Sequence, residues 1–124
     1  MKKSVLAAAT AAAVLGALAL IAALGALAAA HTGIKSRSPA PGATVSKSSI
    51  TYVKVNFEGR IGDATLVVKR SGTKFSRGDG SLADRNRQVR ARLTSKRRGR
   101  YSATVRWLSS DSHVLSKSWS FRIR

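Results

Sequence analysis

The chain has 124 residues, 23 Lys+Arg against 5 Asp+Glu, a formal charge of +18 and no cysteine. Its length allows one small domain with one modest core, and the missing cysteines exclude a disulfide scaffold. The charge favours anionic neighbours, whether lipid head groups, acidic wall polymers or nucleic acid.

Residues 1–30 read as a secretory signal. Lys2 and Lys3 give a short positive start, an Ala- and Leu-rich segment follows, and Ala28-Ala29-Ala30 meets the small-x-small rule for cleavage after Ala30. The alternative is an uncleaved anchor, because Ser4 to Ala30 is 27 residues without a charge, long enough to span a bilayer. Against it, 14 of the first 30 residues are alanine, and no basic cluster abuts the segment. Cleavage leaves a mature domain of 94 residues, 31–124, with a charge of +16. The expected location is then exported, periplasmic or extracellular, and nucleic acid becomes the least expected anionic partner.

Past His31 the apolar period is two. "GIKSRS" is a short candidate strand, followed by the rigid turn "SPAPG". "ITYVKVNF" puts Thr51, Val53, Val55 and Phe57 on one face. After "EGRIGD", "ATLVVKR" is a further strand; "RSG" leads to the weaker "TKFS". Beyond "RGDGS", "QVRARL" sets Val89, Ala91 and Leu93 against Arg90 and Arg92. Following "RRG", "RYSATVRWL" alternates Tyr101, Ala103, Val105 and Trp107 with polar residues, and "SWSFRIR" does the same with Trp119, Phe121 and Ile123. Seven short strands without a helical stripe predict an all-β sandwich or barrel, with Phe57, Tyr101, Trp107, Trp119 and Phe121 turned inward.

Chemistry concentrates at two histidines. In "SSDSHV", His113 follows Asp111 by two residues, and in an extended segment such residues point to one side. A carboxylate and an imidazole so placed are half of a metal site. Cleavage after Ala30 would make His31 the first residue and add its α-amine and ring nitrogen as a chelate. Three nitrogens and one oxygen suit Cu(II), which also heads the divalent affinity order. The amine's reference pKa of about 8 makes its proton easy to displace at neutral pH.

These runs resemble the CopC copper-resistance proteins over residues 31–124. The resemblance rests on His31 with "SRSPAPG", on "VKVNFEG", and above all on "GRYSATVRWLSSDSHVLSKSWSFRIR" with its Gly-x-Tyr, Val-x-Trp and Ser-x-Asp-x-His pattern. It implies a seven-stranded Greek-key β-sandwich or barrel of immunoglobulin-like form. It also implies a non-enzymatic, monomeric carrier holding one Cu(II) ion per mature domain through His31, Asp111 and His113. Such a carrier buffers copper or hands it to a cuproenzyme or to a membrane transporter of the CopD type. A Met-rich Cu(I) site is excluded, because the only methionine is Met1. Glu58 is a secondary candidate: it stands one residue after Phe57, where some family members carry a Glu two residues on. Val114 and Lys117 replace the usual Pro and Gly of the closing loop.

Two other functions remain in view. A copper oxygenase would also use an N-terminal histidine, but the short chain, the inward aromatics and a carboxylate in the ligand set oppose it. A charge-driven envelope-binding domain without metal is the other. The run "RNRQVRARLTSKRRGR" holds eight Lys or Arg in 16 residues. It reads as a docking face for an anionic envelope or as a solvated strand face, and its own polar side offers no aromatic for stacking.

Overall fold

The computed structural model describes residues 31–124, so the leader read in residues 1–30 lies outside the described residues. The strands are β1 (Ile34–Ser38), β2 (Thr44–Val45), β3 (Tyr52–Phe57), β4 (Asp63–Arg70), β5 (Thr73–Lys74), β6 (Ser81–Ala83), β7 (Gln88–Arg92), β8 (Gly99–Leu108) and β9 (Val114–Ile123). They form a four-stranded sheet, β1-β3-β7-β6, and a five-stranded sheet, β2-β9-β8-β4-β5. No helix among the described residues is long and apolar enough to cross a membrane.

Every run read from alternation is a strand, and the sandwich class holds. Two short strands are additional. β2 pairs in parallel with β9 through Thr44 opposite Arg122, and β6 pairs with β7 through Leu82 opposite Val89. Neither segment has an alternating pattern of its own; its neighbour supplies the main-chain partners. "TKFS" shortens to β5: Phe75 N–H still donates to Val68 O (2.8 Å), but Ser76 bridges to Leu93 and its hydroxyl accepts the Val68 N–H (2.9 Å). Thr51 lies just outside β3 and is exposed; Ile50 takes the buried place.

Alternation places the core between the sheets. Val53, Val55 and Phe57 of β3 meet Val105 and Trp107 of β8 and Phe121 of β9, all buried. The five aromatics expected inward are all buried. Each such side chain contributes about 1.5–3 kcal/mol by leaving water. Phe57 packs on Trp107 with ring centroids 5.4 Å apart, which ties the end of β3 to the end of β8. The candidate ligands sit directly beyond that point.

Candidate metal centre

β8 and β9 form a hairpin whose last ladder pair is Leu108 opposite Val114. The loop between them carries Ser109, Ser110, Asp111, Ser112 and His113. It is a tight turn and not an extended segment: Ser112 N–H donates to Ser109 O (3.0 Å), Ser109 N–H to His113 O (2.8 Å), and Ser112 has φ 71°. Asp111 and His113 therefore meet by folding back, not by strand alternation. Asp111 Oδ1 accepts the His113 main-chain N–H (3.2 Å), and Oδ2 lies 2.9 Å from His113 Nδ1.

The Asp111 carboxyl feels opposing influences. Partial burial raises its pKa; hydrogen bonds from the His113 ring, the His113 main chain and the Ser109 hydroxyl outweigh this and hold it well below the usual carboxylate range. The group is a carboxylate at any physiological pH.

The other side of the centre is set by Thr32. Its N–H donates to Ser109 Oγ (2.7 Å), its carbonyl accepts Trp107 Nε1–H (2.8 Å), and its hydroxyl lies 3.0 Å from Ser110 Oγ. Thr32 is buried. The nitrogen resting on Ser109 is that of the His31–Thr32 peptide, so the covalent chain itself keeps His31 at this loop. One ligand atom each from His31, Asp111 and His113 falls within 4.8 Å of the others. Ser109 joins the two halves, receiving the Thr32 N–H and hydrogen bonding to Asp111.

Two imidazoles and a carboxylate are a borderline nitrogen and oxygen donor set, which fits Cu(II) better than a hard oxygen-seeking ion. Glu58 is outside that group. Its main-chain N–H donates to Gly33 O (2.9 Å), and a Cβ at position 33 would stand 2.9 Å from Glu58 Oε1, so its carboxylate lies over the Gly33 backbone. Thr32 and Ser109 are positioning residues that residue-type reasoning did not single out, and Trp107, read as a core aromatic, also holds the Thr32 carbonyl. Ser109 had a signal as the first residue of the Ser-x-Asp-x-His pattern.

Acidic residues gather at this end of the sandwich. Asp63 stands opposite Leu108, and Asp84 shares a hollow with Glu58. With Asp111, that is four of the five acids; the fifth, Asp79, lies 3.7 Å from Lys74 Nζ.

The CopC domain family matches residues 34–124. No curated protein matches the chain. Among solved structures it is similar to CopC from Methylosinus trichosporium OB3b, with TM-score 0.63 and 24% identity over 75% of this chain and 93% of that one. It is also similar to PcoC, a methionine-rich copper resistance protein from Escherichia coli, with TM-score 0.62 and 18% identity over 77% of this chain and 100% of that one. At these identities the two structures speak to the fold.

Proposed function

The chain belongs to the CopC domain family, and on that premise we propose that it is an exported copper-resistance protein that carries one Cu(II) ion. Its cargo would be held by His31, Asp111 and His113, with the α-amine of His31 joining once the chain is cut after Ala30. The observation that carries the reading is the meeting of these three residues' ligand atoms within 4.8 Å. Borderline donors and a carboxylate held below the usual range suit a divalent, nitrogen-seeking ion. Thioether capture of Cu(I) is closed to a chain whose single methionine is Met1. The carrier would work as a monomer without catalysis, buffering copper or passing it to a cuproenzyme or a CopD-type membrane transporter.

Intact mass of the protein recovered from outside the cell tests the cut; a first residue other than His31 removes the amine. Titration with Cu(II) tests the site. One ion per chain is expected, with binding abolished in the double variant His31→Ala, His113→Ala; tight binding in that variant would sink the assignment. Affinity should also fall between about pH 7 and pH 4, as protons compete for the amine and the imidazoles. The Asp111 carboxyl, with its depressed pKa, stays ionised over that window, so the loss belongs to the nitrogens. A flat profile contradicts nitrogen ligation.

A further inference from the structure

We propose that the outward face of the four-stranded sheet carries a second site, an arginine-lined hollow that takes the phosphate of an anionic lipid head group. The hollow has a volume of about 350 Å³ and is lined by Tyr52, Arg77, Ser81, Arg90 and Arg92 with the glycines at 78 and 80. Tyr52 is the aromatic that the basic run lacks on its own strand: β3 sets it directly opposite Arg92 of β7. The Arg90 guanidinium carbon lies 4.9 Å and that of Arg92 5.7 Å from the Tyr52 ring centroid, both over the ring. Arg92 also donates to the Tyr52 hydroxyl (3.4 Å). That bond, with the charges of Arg92, Arg90 and Arg77, outweighs the opposing effect of burial and draws the phenol below its ordinary pKa. Two guanidiniums thus rest on one phenol, and Arg77 lines the same hollow.

Two features say what such a site accepts. Cation–π contact and the shared phenol hold Arg90 and Arg92 in place, and fixed guanidiniums match the forked geometry of phosphate oxygens. Lys54, directly opposite Arg90 on the same outward face, adds positive charge beside the hollow. Strands β3, β6 and β7 carry no acid, and Asp79 beside the hollow has Lys74 as its partner. The same contacts argue against nucleic acid: guanidiniums cover the ring that a base would need for stacking. A lipid source follows from the apolar stretch Ser4 to Ala30, which takes the chain to a membrane whether it is cut or retained. Only that choice of source rests on the export reading; the hollow does not involve His31 or copper.

The test uses the full chain in neutral maltoside micelles, with the arginine side-chain N–H signals followed by NMR. Glycerol 3-phosphate should shift Arg77, Arg90 and Arg92, and micelles doped with phosphatidylglycerol should do so at lower phosphate concentration, while phosphatidylcholine has little effect. The pair Arg90→Gln, Arg92→Gln should weaken binding by about tenfold or more. These side chains are exposed, so the fold should survive. Arg100→Gln with Arg122→Gln, on the other sheet, removes the same charge and should change binding less than about twofold. Equal loss in both pairs, or no shift at the three arginines with either probe, overturns the site. Tighter binding of a single-stranded oligonucleotide than of phosphatidylglycerol overturns the lipid assignment.

Discussion

The two ends of this sandwich are built on different physics. At the Phe57 end, buried main-chain and hydroxyl hydrogen bonds fix a polar loop, and four of the five acids collect around it. At the Tyr52 end, exposed arginines rest on one phenol and the surface carries a nearly uncompensated positive charge. Tyr52 opens β3 and Phe57 closes it, so roughly 17 Å lies between the ends. The screening length at physiological salt is about 8 Å. The arginine cluster at Tyr52 therefore lies more than one screening length from the metal loop.

That insulation is the first thing to break. His113→Ala should lower Cu(II) affinity by more than about 100-fold, beyond what loss of an outer-shell partner costs. Arg90→Gln with Arg92→Gln should leave it within about twofold at physiological salt, and raise it only at low ionic strength. Competition titrations with a chromophoric chelator read both. A large copper effect of the arginine pair at physiological salt would mean that the ends are one electrostatic unit.

The second effect sharpens the contrast in rigidity. Ser109→Ala strands the buried Thr32 N–H and removes one hydrogen bond from Asp111. Leaving such a donor unsatisfied costs about 1–3 kcal/mol, and His31 should lose its fixed approach to the loop. Denaturant unfolding should register the loss, with copper affinity falling alongside. Ser102→Ala, exposed on the outer face of β8, should stay within about 0.5 kcal/mol. Similar small effects from both would refute the idea that Ser109 joins the halves of the site.

These residues also mark where the sequence could be read and where it could not. β3, β7, β8 and β9 are legible because each buries one face, and burial writes a period of two into the chain. Asp111 and His113 stand out by residue type, but the turn that brings them together does not follow from their spacing. Thr32 and Ser109 are 77 residues apart, and nothing local in either segment announces the bond between them. Tyr52 and Arg92 are 40 apart and meet only through the β3–β7 register, so a basic run read alone lacks its aromatic. Elements specified by their own pattern are visible in one dimension; those specified by a partner strand are not.

The smallest expected effect tests whether the cationic end is held at a cost. Three cross-strand pairs oppose like charges directly: Lys54 with Arg90, Lys69 with Lys74, and Arg100 with Arg122. The pairs nearest the metal loop are apolar, Trp107 with Leu115 and Leu108 with Val114. Like charges in directly opposed positions destabilise a sheet by roughly 0.2–1 kcal/mol each. Arg122 is exposed, so Arg122→Glu should add about 0.5 kcal/mol to the unfolding free energy at low salt by turning repulsion into attraction. The gain should shrink towards zero at about 1 M salt, where screening reaches 3 Å. A gain independent of salt would come from something other than charge, and a loss would mean that the arginine is structural. If the salt-sensitive gain appears, folding stability alone does not account for the opposed basic pair Arg100 and Arg122.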